Sequence, residues 1–401
     1  MLTQKEKEIR KLLKFLDVKN DYYHELFQKS KINLESDIED IFYKLPVITK
    51  QDIREHYNEY LSKLDLPQFS EFTSGSTGKP VNCVKTSAER TTAGINVWKR
   101  RHQWDKEADI NNYIYLYDKS TYRKVGNLLN FEKNNMIKCF KRLMEQNPRW
   151  LSGPISSFER YAKLIEAGEA EYSYGSIKFL ELAGEYASKE QREFVEKVFG
   201  AKTINHYGII ESWCIAYECP CGKLHVQNNL FYVETRKPKQ QFEDPEIGEI
   251  TITSFYNKLM PLVRYNIQDY GKVTMEQCEC GETSQIITLF GGRTADIIVG
   301  TEDVLGELFF KRGIYKLIER YGDCVDGFRV EQTGLKEFLV LIQKGQEFRE
   351  EMSEIMTKHI KSGLGKDVRV HYEYVSVISP LQSGKMKIFF SHIKESEGRM
   401  P

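Results

Sequence analysis

Apolar residues recur every three or four positions through the first sixty residues. Leu12, Leu13, Phe15 and Leu16 stand between charges, and the stretch from Leu34 to Tyr60 repeats the habit with one break at Pro46. That spacing stacks side chains on one face of a 3.6-residue turn, so it predicts a mostly helical first segment. Asn111 to Tyr117, Ser176 to Leu182 and Lys202 to His206 are aromatic or β-branched runs, each beside an amphipathic stretch. Strands alternating with helices predict an α/β layer structure. From Phe231 to Leu289 the pattern changes to short runs such as Glu249–Phe255 and Ser284–Phe290, punctuated by Gly, Pro, Asn and Asp. This predicts a β-rich part, about residues 213–291.

Beyond Ile297 the pattern predicts a strand, a helix (Leu305 to Tyr321), two strands (Gly327 to Gln332, Phe338 to Gln343), a helix (Gln346 to Lys361) and a strand (Val368 to Tyr374). About a hundred residues in that order make a small α+β unit of ordinary domain size. With no repeat, low-complexity tract or Pro-rich linker before it, the expected division is 1–296 and 297–401 with a short hinge near Asp296.

The chain has 401 residues, enough for more than one average domain. Lys+Arg 58 balances Asp+Glu 58, so no net field gathers nucleic acid or an anionic membrane. No apolar run approaches the ~18 residues of a spanning helix, and Met1–Phe15 reads as a charged amphipathic helix rather than a signal peptide. The expectation is a cytoplasmic protein without nucleic-acid or membrane partners, acting alone or as a homodimer.

Residues 71–80, Glu-Phe-Thr-Ser-Gly-Ser-Thr-Gly-Lys-Pro, collect four hydroxyls, two glycines and a lysine. Glycine lets backbone N–H groups converge on an anion, the hydroxyls add short donors, and lysine adds a mobile positive charge, so the segment suits phosphates. It is not a Walker A loop, which needs four residues between its glycines and Ser or Thr after the lysine; here two residues and Pro80 stand in those places. Separately, Cys219, Cys221 and His225, and Cys278 and Cys280, form two glycine-ended Cys-x-Cys turns able to aim soft ligands at one ion. Five candidates exceed the four of a tetrahedral structural zinc, which leaves one outside the ligand set. Cys83, Cys139, Cys214 and Cys324 lack such spacing and read as small apolar residues.

Taken in order, these segments resemble the adenylate-forming superfamily. The loop from Thr73 to Pro80 is similar to its phosphate loop. Leu182-Ala183-Gly184-Glu185 and His206-Tyr207-Gly208-Ile209-Ile210-Glu211 are similar to its nucleotide-binding half. Gly248–Thr253, Pro261-Leu262-Val263-Arg264-Tyr265 and Asp269 resemble its ribose-binding half. Gly292-Arg293-Thr294-Ala295-Asp296-Ile297 resembles its hinge, and Ser383-Gly384-Lys385 its C-terminal lysine segment. Leu45–Arg54, the Pro-Leu-Val-Arg-Tyr string and the cysteine pairs resemble the phenylacetate–CoA ligase, coenzyme F390 synthetase and CapK-like branch.

The resemblance implies a large N-terminal α/β adenylate-forming domain with a β-rich subdomain and a small mobile α+β C-terminal lid. It implies ATP, Mg²⁺ and a small carboxylic acid as reactants, with coenzyme A as acyl acceptor; an amine, a hydroxyl or a carrier protein is the alternative acceptor, and an inactive zinc-stabilised scaffold the alternative to an enzyme. By resemblance Thr73, Ser74, Gly75, Ser76, Thr77, Gly78 and Lys79 hold the β- and γ-phosphates. Gly184, Glu185, Tyr207 and Gly208 frame the adenine, Asp269 and Arg293 bind the ribose, Glu211 takes Mg²⁺, and Lys385 bridges the substrate carboxylate and the α-phosphate. His206 lines the acyl pocket. Trp98, Trp104 and Tyr117 make an aromatic acid attractive. Three positions depart from the family pattern: Ile210 replaces a hydroxyl residue before Glu211, Ile267-Gln268-Asp269 replaces Thr-Gly-Asp, and Ala295 replaces an acidic hinge residue. The glycine-rich aromatic stretch of phenylacetate ligases is also absent, replaced by Gly94–Trp104, so phenylacetate itself is not carried over.

Overall fold

The structure, a computed structural model, describes residues 2–72, 81–238, 242, 244–293, 298, 305, 307–381 and 386–393, the side chains of 291–293 and 308 excepted. The chain forms two compact units. One holds residues 1–109, 204–237 and 246–290; the other holds 110–203, 238–245 and 291–401.

The amphipathic spacing near the N-terminus becomes α1 (Glu6–Lys19), α2 (Asp21–Lys29), α3 (Ile38–Lys44), α4 (Lys50–Glu55) and α5 (Tyr57–Tyr60). The break at Pro46 is a crossing point. Ile48 makes a parallel bridge to Tyr265, with Ile48 N–H on the Arg264 carbonyl at 3.0 Å and Asn266 N–H on the Ile48 carbonyl at 2.9 Å. Arg264, only 8% exposed, donates to the Phe42, Tyr43 and Leu45 carbonyls at the end of α3, where helical carbonyls run short of backbone donors, and pairs with Glu234 at 2.9 Å. Tyr60 adds a hydrogen bond to the Pro261 carbonyl at 2.5 Å. The two strings typical of the branch, Leu45–Arg54 and Pro261–Tyr265, are thus structural partners. Next come β1 (Gln68–Phe72) and β2 (Asn82–Thr86), an antiparallel pair flanking residues 73–80, and α6 (Ser87–Trp104), started by a Thr86–Glu89 capping box.

In the second unit β3 (Tyr113–Tyr115), α7 (Lys119–Val125), α8 (Lys133–Met144), β4 (Trp150–Gly153), α9 (Ile155–Glu166), β5 (Phe179–Ala183) and α10 (Lys189–Phe199) alternate, and β3, β4 and β5 run parallel. β4 has only four residues and offers too short a pattern to read from sequence. Gly184 and Glu185 follow the C-terminal end of β5, the edge at which open parallel sheets bind ligands.

The strand β6 (Lys202–Ile209) leads into β7 (Trp213–Glu218), β8 (Leu224–Val226), β9 (Phe231–Arg236), β10 (Gly248–Ser254), β11 (Tyr265–Gln277) and β12 (Thr283–Arg293), in sheet order β6-β7-β8-β12-β11-β10-β9. This is the expected β-rich part. The C-terminal segment builds α11 (Glu307–Tyr321), β13 (Val325–Gly334), β14 (Glu337–Lys344), α12 (Glu351–Leu364), β15 (Arg369–Val375) and β16 (Phe389–Ser391). Its sheet, ordered β15-β14-β13-β16, shares an apolar core with both helices, including Phe310, Val330, Phe338, Met356 and Phe389. The three-residue β16, parallel to β13, is the element that periodicity misses here. No described helix is long and apolar enough to cross a membrane.

Candidate functional site

β6 carries His206, Tyr207 and Gly208 into a turn formed by Ile210, Glu211 and Ser212, from which β7 returns. The chain doubles back so closely that a Cβ on Gly208 would lie 1.8 Å from the Trp213 carbonyl oxygen. Only glycine fits. Gly208→Ala is expected to destabilise the protein by on the order of 3 kcal/mol, read as a lower denaturant midpoint.

Glu211 is 5% exposed. Its Oε1 accepts from the Tyr265 hydroxyl at 3.0 Å and pairs with Lys50 Nζ at 3.2 Å, while Oε2 shows no hydrogen bond among the described residues. Burial, reinforced by the Glu211 charge, drives the Tyr265 pKa well above its ordinary value, so the phenol stays a donor. The neighbouring Ser212 Oγ is buried and unpartnered. One anchored carboxylate oxygen, one unpartnered oxygen and an orphan hydroxyl suit a hard cation such as Mg²⁺.

Nearby in the same unit, the Tyr207 hydroxyl donates to Asp269 Oδ2 at 2.9 Å. Gln268 has φ +64, and its N–H donates to Asn266 Oδ1 at 2.8 Å. Within β11, Gln268 therefore takes a left-handed backbone conformation that glycine adopts more readily, and with this departure from Thr-Gly-Asp Asp269 still lies beside Tyr207. His206 is half-buried with its ring 5.7 Å from that of Tyr217. The Trp104 indole is spent on the Glu218 carbonyl at 2.7 Å, beside the first cysteine turn.

Gly184 and Glu185 belong to the other unit. Gly184 has φ +88, and the Glu185 carboxylate accepts from Ser156 N–H at 3.1 Å, Ser156 Oγ at 3.0 Å and the Met386 N–H. Burial raises the Glu185 pKa against the opposing pull of Lys311. A carboxylate expected at the adenine is thus engaged with the residue that follows Lys385. Thr73 to Lys79, the Arg293 side chain, the hinge from Thr294 to Ile297 and Lys385 lie outside the described residues.

The cysteine turns are copies of each other. Cys219 N–H bonds the Lys223 carbonyl and Gly222 N–H the Cys219 carbonyl; Cys278 N–H bonds the Glu282 carbonyl and Gly281 N–H the Cys278 carbonyl. Gly222 and Gly281 close the turns at φ +75 and +89, a region that disfavours side chains. The ligand atoms of Cys219, His225, Cys278 and Cys280 lie within 4.8 Å of one another, and Cys221 is not in that quartet.

A tetrahedral site with Zn–S bonds of about 2.3 Å and a Zn–N bond of about 2.0–2.1 Å has S···S edges of about 3.8 Å and S···N edges of about 3.5 Å. Cys219 and Cys278 Sγ stand 3.8 Å apart, and Cys280 Sγ lies 3.5 Å from His225 Nε2. His225 Nδ1 meets Ser284 Oγ at 2.5 Å, a contact that leaves the Nε2 lone pair for an ion when Nδ1 carries the proton. Glu282, four residues past Cys278, pairs through both oxygens with Arg100 of α6.

Comparison with known proteins places this geometry. The CapK C-terminal domain family matches residues 306–392. Protein CapK of Staphylococcus aureus is 21% identical over 397 residues, 95% of this chain and 87% of CapK. The phenylacetate-coenzyme A ligase of Thermus thermophilus is 22% identical over 320 residues, 73% of this chain and 70% of the ligase. The chain is thus similar to CapK over most of its length, most specifically in residues 306–392. Its fold matches that of 2-hydroxyisobutyryl-CoA ligase in complex with 2-HIB-AMP, with a TM-score of 0.76 at 14% identity, over 97% of this chain and 89% of the ligase.

Sequence reasoning missed Lys50, Lys85 and Tyr265, which hold Glu211 and its turn. A lysine is usually a solvated charge, and nothing in a one-dimensional pattern distinguishes these two. The available signal for Lys50 and Tyr265 was that each lies inside a string characteristic of the branch.

Proposed function

We propose that this protein activates a small carboxylic acid with Mg-ATP as an acyl-adenylate and transfers the acyl group to coenzyme A. The observation that carries the reading is the half-held Glu211 carboxylate beside the Tyr207–Asp269 pair, on a fold shared with an acyl-adenylate-binding ligase.

In the first step a carboxylate oxygen attacks the α-phosphorus, and the bond to the β-phosphate bridging oxygen breaks to release pyrophosphate. In the second, the coenzyme A sulfur attacks the acyl carbon and AMP leaves. Negative charge accumulates in the first step, so the protein contributes mostly position and neutralisation. Residues 73–79 grip the β- and γ-phosphates, and Lys385 stabilises charge developing between the carboxylate and the α-phosphate. Asp269 and Arg293 hold the ribose, a carboxylate being a natural acceptor for a vicinal diol. Gly184, Glu185, Tyr207 and Gly208 border the adenine, and His206 the acyl group. Mg²⁺ at Glu211 would neutralise phosphate charge. The catalytic division is 1–296 with a lid at 297–401, and zinc on Cys219, His225, Cys278 and Cys280 is structural, since four protein ligands leave no open position.

The test is pyrophosphate release from Mg-ATP across aryl, aliphatic and amino acids, each with and without coenzyme A. Turnover that requires coenzyme A supports the ligase. Adenylation indifferent to it transfers the reading to another acceptor, and Mg-ATP binding without pyrophosphate release for any acid supports a scaffold. Asp269→Asn is expected to weaken Mg-ATP affinity about tenfold, by loss of a charged acceptor worth about 1.5 kcal/mol, as measured by calorimetric titration.

A further inference from the structure

The Glu211 turn is held from its backbone outward. Its three carbonyls each meet a side chain: Ile210 O accepts from Lys85 Nζ at 2.6 Å, Glu211 O from Asn257 Nδ2 at 3.3 Å, and Ser212 O from the Tyr256 hydroxyl at 2.5 Å. Lys85 is the charged member of the three. It is 1% exposed, and a buried ammonium is costly unless it is paired and hydrogen-bonded.

Its partners explain how it is kept. Lys85 Nζ pairs with Glu71 Oε2 at 3.1 Å and lies 5.2 Å from the centroid of the Trp213 ring, while the Trp213 indole N–H donates to the same Glu71 oxygen at 2.8 Å. One ammonium thus ties together β1, β2 and the β6–β7 turn. Cys83, inside this charge cluster, has its thiol pushed up to about 12, by burial first and the Glu211 charge second. That thiol stays protonated and adds no charge of its own.

We propose that Lys85 is a positioning residue for the nucleotide site, fixing the β1–β2 pair that flanks residues 73–80 against the turn that presents Glu211. This rests on the functional reading above. Glu71 and Lys85 lie on either side of the phosphate-loop sequence, and the bond from Lys85 to Ile210 spans 125 residues. A phosphate grip and a metal-binding carboxylate must keep a fixed separation, because a misplacement of about 1 Å can cost on the order of a hundredfold in rate. Methionine can fill the space of Lys85, but it has no donor for the Ile210 carbonyl or Glu71.

The test uses the full chain with Lys85→Met, Glu71→Gln and the double variant. Mg-ATP binding is followed by calorimetry, pyrophosphate release gives KM and kcat, and thermal melting gives stability. Lys85→Met is expected to raise KM for Mg-ATP and lower kcat, each at least tenfold, with KM for the acid unchanged. Glu71→Gln, at a carboxylate already 38% exposed, is expected to fold normally and raise KM for Mg-ATP severalfold. Adding Glu71→Gln to Lys85→Met is expected to recover melting temperature without recovering the Mg-ATP parameters. Lower melting with wild-type KM and kcat in the lysine variants, or an unchanged KM in Glu71→Gln should they not fold, overturns the proposal. Failure of the wild type to bind Mg-ATP overturns the functional reading instead.

Discussion

Lys385→Ala is expected to lower the rate of acid-dependent pyrophosphate release by on the order of 10²–10³-fold while leaving Mg-ATP affinity within about twofold, a pattern typical of a group that acts on charge formed in the transition state. On the proposed reading the carboxylate and triphosphate already carry their charges in the ground state, where residues 73–79 would grip the nucleotide, so binding would depend little on Lys385. At the transition state a carboxylate oxygen approaches a phosphorus surrounded by anionic oxygens, and one cation there is worth a few kcal/mol. Lys387 is the competing residue, two positions on. Its ammonium stands 4.7 Å from the centroid of the Phe390 ring, and its carbonyl accepts from Arg329. Wild-type pyrophosphate exchange in Lys385→Ala, with loss in Lys387→Ala, would reassign the role.

Cys278→Ser is expected to abolish metal binding and lower the melting temperature by about 10 °C or more, whereas Cys221→Ser keeps the metal and melts near wild type. The wild type should carry about one zinc per chain. Binding free energies of structural zinc sites are about 10–16 kcal/mol in small domains, and each kcal/mol corresponds to about 2–4 °C in units of 150–250 residues, so even partial loss is large on that scale. Removing one thiolate leaves Cys219, Cys280 and His225 crowded together without the ion that would join them. The contrast between the two serine variants tests the quartet rather than cysteine chemistry in general. A metal-free wild type that melts as high as the metal-treated protein would end the zinc reading.

Much of the architecture could be read from side-chain spacing. The two C-terminal helices and the three strands expected from Gly327 onward, the β-rich part and the N-terminal helices have long periodic signals, and the structure forms each of them near its expected place, whereas the strand expected just beyond Ile297 falls largely outside the described residues. Four-residue β4 and three-residue β16 fall below the length at which period is readable; they are strands because neighbouring strands supply partners. At the site, Tyr207 and Asp269 were named from register, and the structure joins them through a hydrogen bond across 62 residues. Of the five metal candidates, sequence spacing could not select four; the choice comes from where two distant turns bring their sulfurs. Lys50, Lys85 and Tyr265 draw their meaning from partners far along the chain, 54 residues away for Tyr265 and 125 for Lys85, which a local pattern does not reveal.

The bridge between Ile48 and Tyr265, with Arg264 bonded to the end of α3, bears on how this chain can be cut, fused or shuffled. The first sixty residues resemble a leading helical appendage that recombination could exchange without touching the chemistry. They are instead bridged to the start of β11 at Tyr265, four residues before Asp269 in the same strand. A truncation that removed residues 1–60 would take the carbonyl acceptors at the end of α3 from Arg264, the Ile48 bridge from Tyr265 and Lys50 from Glu211 in one stroke. The N-terminal helices and the start of β11 are therefore expected to be exchanged together, since a chimera that takes them from different parents would have to rebuild the contacts around Arg264 and Glu211.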